Sequence, residues 1–211
     1  MEKLRGAIVD GIFKPGDRLV EADLCEMLGV SRPSIREALR SLEAERLIEI
    51  IPNRGPLVPV LTWEHATEIY HVRALLEGEA ACLAARRATG EDLRHMRASL
   101  AAFGRAVRAE DAAGEIKSTA EFYGHILRVC GNRVIEQTLS ALLARINFLR
   151  GKSMSQRGRA RLSLREMKAI YQAIEAKDGA MARAAAIRHV DQAHVAAKAA
   201  FDAVDTKRSA A

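Results

Sequence analysis

Apolar residues recur three and four apart at Leu4, Ala7, Ile8 and Ile12, and the run ends where Pro15 and Gly16 interrupt it in KPGDRL. That spacing lines one side of a helix with core-facing side chains and predicts a first helix over residues 2–12. A second helix is predicted over Glu21–Leu28, with Ala22, Leu24, Cys25 and Leu28 on one side and Gly29 as its left-handed stop. Ser31 is a good N-cap, and Pro33 falls in a first turn, where a missing N–H is no loss. A third helix is therefore expected from Arg32 to about Ala44, with Ile35, Ala38, Leu39 and Leu42 as its buried stripe. Two helices joined by a tight glycine turn make a helix-turn-helix.

After Arg46 the period shortens to two in LIEII and LVPV, which flank the turn PNRGP, so a short hairpin, a wing, is expected behind the third helix. From Thr62 onward the strand signals vanish, and helices are predicted at about 63–88, 91–110, 112–130, 132–150, 160–176 and 179–203. Thr62, the capping box Thr89-Gly90-Glu91-Asp92 and Asp178 mark helix starts. The expected fold is mostly α: a winged helix-turn-helix in residues 1–61, then an all-α bundle in residues 62–211 that senses an effector and dimerises.

A length of 211 residues suits two such domains, and 49% hydrophobic residues with only 4% aromatics agree with helices over sheets. No apolar run approaches the roughly 18 residues that a membrane span needs. The opening MEKLRGAIVDGI carries acids and lacks a signal-peptide core, so a soluble, cytoplasmic protein without a membrane partner is expected. Cys25, Cys82 and Cys130 lie far apart with no C-x-x-C spacing and read as reduced core residues. The net charge of +6 does not sit on the helix-turn-helix: residues 1–60 hold 9 Lys and Arg against 10 Asp and Glu, and the remainder 24 against 17. Bulk basicity is therefore no evidence for DNA binding, and only particular arginines can be.

Arg32, Arg36 and Arg40 fall four apart, so they drift slowly along one edge of the third helix beside its apolar stripe. The second helix of a helix-turn-helix enters the major groove by its N-terminal end, where Arg pairs with O6 and N7 of guanine and small hydroxyls reach phosphates or bases. Ser31, Arg32, Ser34 and Arg36 occupy that end, and Asn53, Arg54 and Gly55 occupy the hairpin tip, where a glycine permits close approach to a DNA backbone. The plainer alternative is a solvated face whose arginines pair with Glu37 and Glu43.

The stretches IVDGIFKPGDRL, LCEMLGVSRPSIREALRSLEAERLI and PNRG resemble, continuously and specifically, the winged-helix domain of the GntR transcription regulators. The resemblance implies that Arg32 and Arg36 read guanines and that Gly55 is the wing glycine. Two departures stand out: Pro33-Ser34 replaces the usual Thr-Pro, and Arg46 replaces a frequent glycine before the hairpin.

Residues 63–204 resemble, more loosely, the all-helical FCD effector domain of the FadR branch of that family, through IYHVRALLEGEAACLAA, EFYGHILRVCGN and YQAIEAKDGAMARAA. That branch commonly holds a divalent metal with an Asp, a His one turn later, and two further His on the last two helices. The resemblance places these on Thr119, Tyr123, Met167 and His189, so one ligand of four survives. His125 is two residues out of register and turned about 200° away. No metal or other cofactor is therefore expected, because Thr and Met do not replace a carboxylate and an imidazole. The resemblance implies that the site persists as an effector-binding set of Arg73, which matches the arginine of the first effector-domain helix that commonly faces the pocket, with Thr119, Tyr123, Met167 and His189; Tyr123 and His189 are expected as hydrogen-bonding walls and the interior as electropositive. A buried Arg73 implies Glu77 or Glu79 beside it, or an anionic ligand. The run 145–165, with seven basic residues and no acid, reads as a solvated, mobile connection, or else as an electrostatic approach to DNA or an anion.

Three functions follow from these readings. The first is a homodimeric, sequence-specific regulator that binds a double-stranded operator and answers to a small organic acid. The second is an effector-independent DNA binder whose helical domain only dimerises. The third is an enzyme built around His189, Asp191 and His194, which no nucleophile motif or phosphate loop supports. No catalytic residue is assigned.

Overall fold

The computed structural model describes residues 2–9, 12–44 and 47–209. The chain divides into two compact units, one of Met1–Thr62 with Leu143–Phe148 and the other of Trp63–Leu142 with Leu149–Ala211.

In the first unit α1 (Glu2–Val9), α2 (Glu21–Leu28) and α3 (Arg32–Ala44) precede β1 (Glu49–Ile51) and β2 (Gly55–Leu57). The first helix is shorter than the periodicity suggested: Ile12 lies beyond it and is exposed, while Leu4 and Ile8 are buried. Asp10 and Gly11, in the expected continuation of that helix, and Arg46, at the expected turn into the hairpin, lie outside the described residues. Pro15 and Gly16 form a tight turn closed by the Asp17 N–H on the Lys14 carbonyl at 3.0 Å. Gly29 ends α2 at φ 66°, its N–H on the Cys25 carbonyl, a conformation that a Cβ would resist. The stripe of α3 is buried as its spacing requires, and Ile35, Ala38, Leu39 and Leu42 close on Leu4, Ile8, Leu19, Leu24, Ile48 and Val58 in one core. The antiparallel hairpin pairs Glu49 with Leu57 and Ile51 with Gly55, and Arg18 forms an isolated bridge to Leu57 on its outer strand.

The second unit is helical: α4 (Trp63–Arg87), α5 (Gly90–Ala109), α6 (Ala112–Cys130), α7 (Arg133–Ala141), the C-terminal part of α8 (Leu143–Met154), α9 (Arg159–Glu175) and α10 (Gly179–Ser209). Local side chains start several of these helices. Thr89 and Asp92 make the reciprocal capping box, Asp111 accepts from the Gly114 N–H, Asn132 from Val134 and Ile135, and Asp178 from Met181. α4 packs along α10, α6 and α9, and α5 along α6 and α9. Among the described residues no helix is long and apolar enough to cross a membrane.

Two expectations for the segment after residue 131 are corrected. The single helix at 132–150 is two, divided at Leu142, whose N–H turns back to the Leu139 carbonyl at 3.2 Å. The basic run 145–165 is not a mobile connection. It is helical to Met154 and again from Arg159, because Ile146, Leu149 and Ser163 among its cations are buried, and Arg150 and Arg159 are buried with them.

Candidate functional site

Two candidate sites arise, one in each unit. In the first, Ser31, Arg32, Ser34, Arg36 and Arg40 are all exposed along α3, opposite its buried stripe. Ser31 Oγ and Ser34 Oγ stand 3.0 Å apart across the first turn. Arg36 does not pair with Glu37 or Glu43: its Nε donates to both carboxylate oxygens of Glu21 on α2, at 3.0 and 2.9 Å. Glu21 thus holds the guanidinium by its Nε, leaving the two Nη groups for a bidentate acceptor. Asn53 (φ 64°) and Gly55 (φ 78°) turn the hairpin tip around Arg54, whose N–H reaches the Ile51 carbonyl at 3.0 Å. Asparagine is among the few side chains that tolerate the left-handed region.

The second site is a buried polar chamber among α4, α6, α8, α9 and α10. Arg73, fully buried on α4, donates Nε to Glu77 Oε1 at 2.7 Å one helical turn away, and its guanidinium carbon lies 5.2 Å from the Tyr70 ring centre. Glu77 is therefore its carboxylate; Glu79 pairs instead with Arg183 at the surface. Among the described residues, Arg73 Nη1 and Nη2, Glu77 Oε2 and the Tyr123 hydroxyl are buried without a hydrogen-bond partner. A buried polar atom left without any partner, water included, costs about 1–3 kcal/mol.

Tyr123 on α6 stacks on His189 of α10 at 5.9 Å between ring centres, and Arg150 of α8 lies over its ring at 5.3 Å. His189 Nδ1 is 2.7 Å from Glu166 Oε2, and Arg159 grips the same carboxylate with both Nη groups at 2.9 and 2.7 Å. The remaining two positions face their own helices: Thr119 Oγ1 donates to the Glu115 carbonyl at 2.8 Å, and Met167 Sδ accepts from the Ser163 hydroxyl at 3.8 Å. Tyr70, Arg150, Arg159 and Glu166 had no place in the sequence reading. Arg150 and Arg159 were hidden in the basic run, and Glu166 sits one residue before Met167.

A metal ion does not fit this arrangement. The four positions present a hydroxyl bonded to its own helix, a phenol, a thioether and one imidazole already bound to Glu166. His125 lies away from the chamber, stacked on His95 at 5.3 Å between ring centres. Among the described residues no three His, Cys, Asp or Glu side chains form a metal-holding group. His194 stacks on Trp63 and Asp191 is exposed, so neither joins His189 in an acid–base constellation.

Burial sets the protonation states. It pushes the Tyr70 phenol up to about 12 and the Tyr123 phenol well above its usual range. Burial, with Arg73 nearby, pulls Arg150 down to about 10, which leaves it cationic at neutral pH. Burial also holds the His189 imidazole below its ordinary 6.5 against the pull of Glu166, so the neutral ring donates Nδ1–H and keeps Nε2 as an acceptor. For Glu166 burial pushes upward, but the hydrogen bonds from His189 and Arg159 outweigh it and hold the carboxyl below 4.5.

Both His189 and Glu166 have folded values below their unfolded ones, so the unfolded chain takes up protons first on acidification. Their stability contribution is complete above the ordinary His value of 6.5 and is lost as pH falls, through His189 first and then, below 4.5, through Glu166. Urea midpoints of the wild type should fall between about pH 7 and 5, and His189→Gln should flatten that fall. An equal fall in the variant would assign the proton uptake to another group.

Compared with known proteins, residues 1–58 match the gntR family of bacterial regulatory proteins and residues 68–192 match the FCD domain. The chain is 30% identical to the HTH-type transcriptional regulator YdhC of Bacillus subtilis, covering 89% of this chain and 84% of that one. It is 33% identical to the galactonate operon transcriptional repressor of Escherichia coli, with 85% and 87% covered. Among solved structures it is similar to a GntR transcriptional regulator from Rhodococcus sp. RHA1, with TM-score 0.77, 27% identity and 94% and 95% of the two chains covered. It shares its fold with E. coli McbR/YncC, with TM-score 0.81, 24% identity and 90% and 91% covered.

Proposed function

The chain belongs to the gntR family of bacterial regulatory proteins, with an FCD domain behind its DNA-binding domain, and from that premise we propose that it is a cytoplasmic homodimeric regulator that releases or engages its operator in response to a small organic anion. Its relatives are transcription regulators and not enzymes. The observation that carries the effector half is the Arg73 guanidinium: fully buried, hydrogen-bonded through Nε to Glu77, with both Nη groups buried and unsatisfied among the described residues. That fork matches the two oxygens of a carboxylate. Arg150 and Arg159 add cationic character, the Tyr123 hydroxyl and His189 Nε2 offer hydrogen bonds, and Thr119 and Met167 contribute wall. The chamber works without a metal, since a guanidinium supplies the positive charge.

Homodimerisation follows from what one reading head can do. A single helix reads only a few base pairs, and two chains related by a two-fold axis read an inverted repeat.

The DNA half is tested by selecting bound duplexes from a random pool. The recovered site should be a short inverted repeat. Arg32→Ala and Arg36→Ala should each cost about 1–3 kcal/mol and relax preference at particular positions, whereas Arg54→Ala should weaken all sequences alike. A uniform loss for all three variants would remove the base-reading roles assigned to Arg32 and Arg36.

A further inference from the structure

The wing is wider than its hairpin. Leu19 N–H binds the Pro56 carbonyl and Val58 N–H binds the Asp17 carbonyl, both at 2.9 Å, so residues 17–19 lie as a third extended segment along β2. Those two bonds flank the Arg18–Leu57 pair and leave it as the non-hydrogen-bonded kind, in which opposing side chains stand closest. Alternation then settles the faces. Leu19 and Val58 are buried, so Arg18 and Leu57 point to the opposite, outer face, together with Gly55 two residues before Leu57.

The Arg18 side chain is exposed and follows that face toward the tip, its Nη2 4.0 Å from where a Gly55 Cβ would stand. No carboxylate among the described residues pairs with it. Glu49 lies across Leu57 on the far strand, two strand spacings or about 9–10 Å away, so the Arg18 side of the face stays basic. An exposed guanidinium whose Nη2 comes near Gly55 is free to donate outward.

We propose that Arg18 is a wing contact to DNA: with its Nη2 near Gly55 at the tip, it takes a backbone phosphate beside the one taken by Arg54. The inference rests on the DNA-binding reading above, and it goes beyond that reading by extending the wing's contact surface to a segment that precedes the helix-turn-helix in sequence.

The test is the salt dependence of binding by the full-length protein to the duplex recovered in the selection. A phosphate contact releases counterions, so Arg18→Gln should reduce the slope of log affinity against log salt by about 0.9 per bound chain. At about 0.15 M salt the same loss corresponds to roughly fivefold weaker binding per chain, for matched and mismatched duplexes alike. Arg18→Lys should keep the slope, since the charge is kept. An unchanged slope in Arg18→Gln overturns the proposal, and so does weaker binding with the slope intact, which a merely structural role would give. If the wild type itself binds no duplex, the DNA-binding reading fails first, and the two failures are distinct.

Discussion

Glu77→Ala is expected to destabilise the protein by about 3–5 kcal/mol, because it leaves the Arg73 guanidinium buried without the carboxylate it pairs with. Arg73 and Glu77 side chains are 1% and 3% exposed, so neither water nor salt screens the pair as it would at a surface. For a chain of this size the loss is on the order of 10 °C in melting temperature. The informative companion is the double variant Arg73→Met with Glu77→Leu, which replaces both charges by apolar groups of similar volume and should recover most of that stability. Urea midpoints compare the three proteins directly. A Glu77→Ala midpoint within about 1 kcal/mol of wild type would mean that something else already neutralises Arg73 in the resting protein.

A partner for Arg73 was legible in the sequence only as Glu77, Glu79 or an anionic ligand, whereas most of the DNA-binding unit was legible because its signals are local. Arg73 and Glu77 are one turn apart on one helix, Gly29 follows the last apolar residue of α2, and Thr89 and Asp92 carry the reciprocal cap within four residues. The rest of the chamber depends on tertiary approach. Glu166 meets His189 from a different helix, and Arg159 reaches Glu166 over two turns, a spacing that no short-range rule singles out. The break at Leu142 was equally silent: no Gly or Pro marks it, so the apolar period reads straight through. The basic run misled because charge was counted without position. Arg150 and Arg159 recur beside Ile146, Leu149 and Ser163, and those apolar and small residues are what carry the two guanidinium groups inward. Arg36 shows the same limit on α3, where the neighbours Glu37 and Glu43 of the plainer alternative lose to Glu21, fifteen residues earlier and on another helix.

The chamber's unsatisfied atoms lead to the second large effect. Arg73 Nη1 and Nη2, the Tyr123 hydroxyl and Glu77 Oε2 are buried atoms without a hydrogen-bond partner among the described residues, and a carboxylate placed against the Arg73 fork satisfies the first two at once. A small acid that binds there stabilises the folded state by its occupancy, about 2.7 kcal/mol at a concentration of 100 Kd, which corresponds to roughly 5–10 °C in melting temperature. Screening a panel of small carboxylic acids by thermal melting should therefore find one with a shift of that size. The Arg73→Met, Glu77→Leu protein, which remains folded but lacks the fork, should show no shift with the same acid. Chelator should leave the wild-type melting temperature and the acid's effect unchanged, because the donor set at Thr119, Tyr123, Met167 and His189 does not fit a divalent ion. Stoichiometric metal surviving dialysis would overturn the metal-free half. A shift that persists in the double variant would move the anion away from Arg73, toward the Arg150 and Arg159 side of the chamber, where each guanidinium can be replaced in turn to find it.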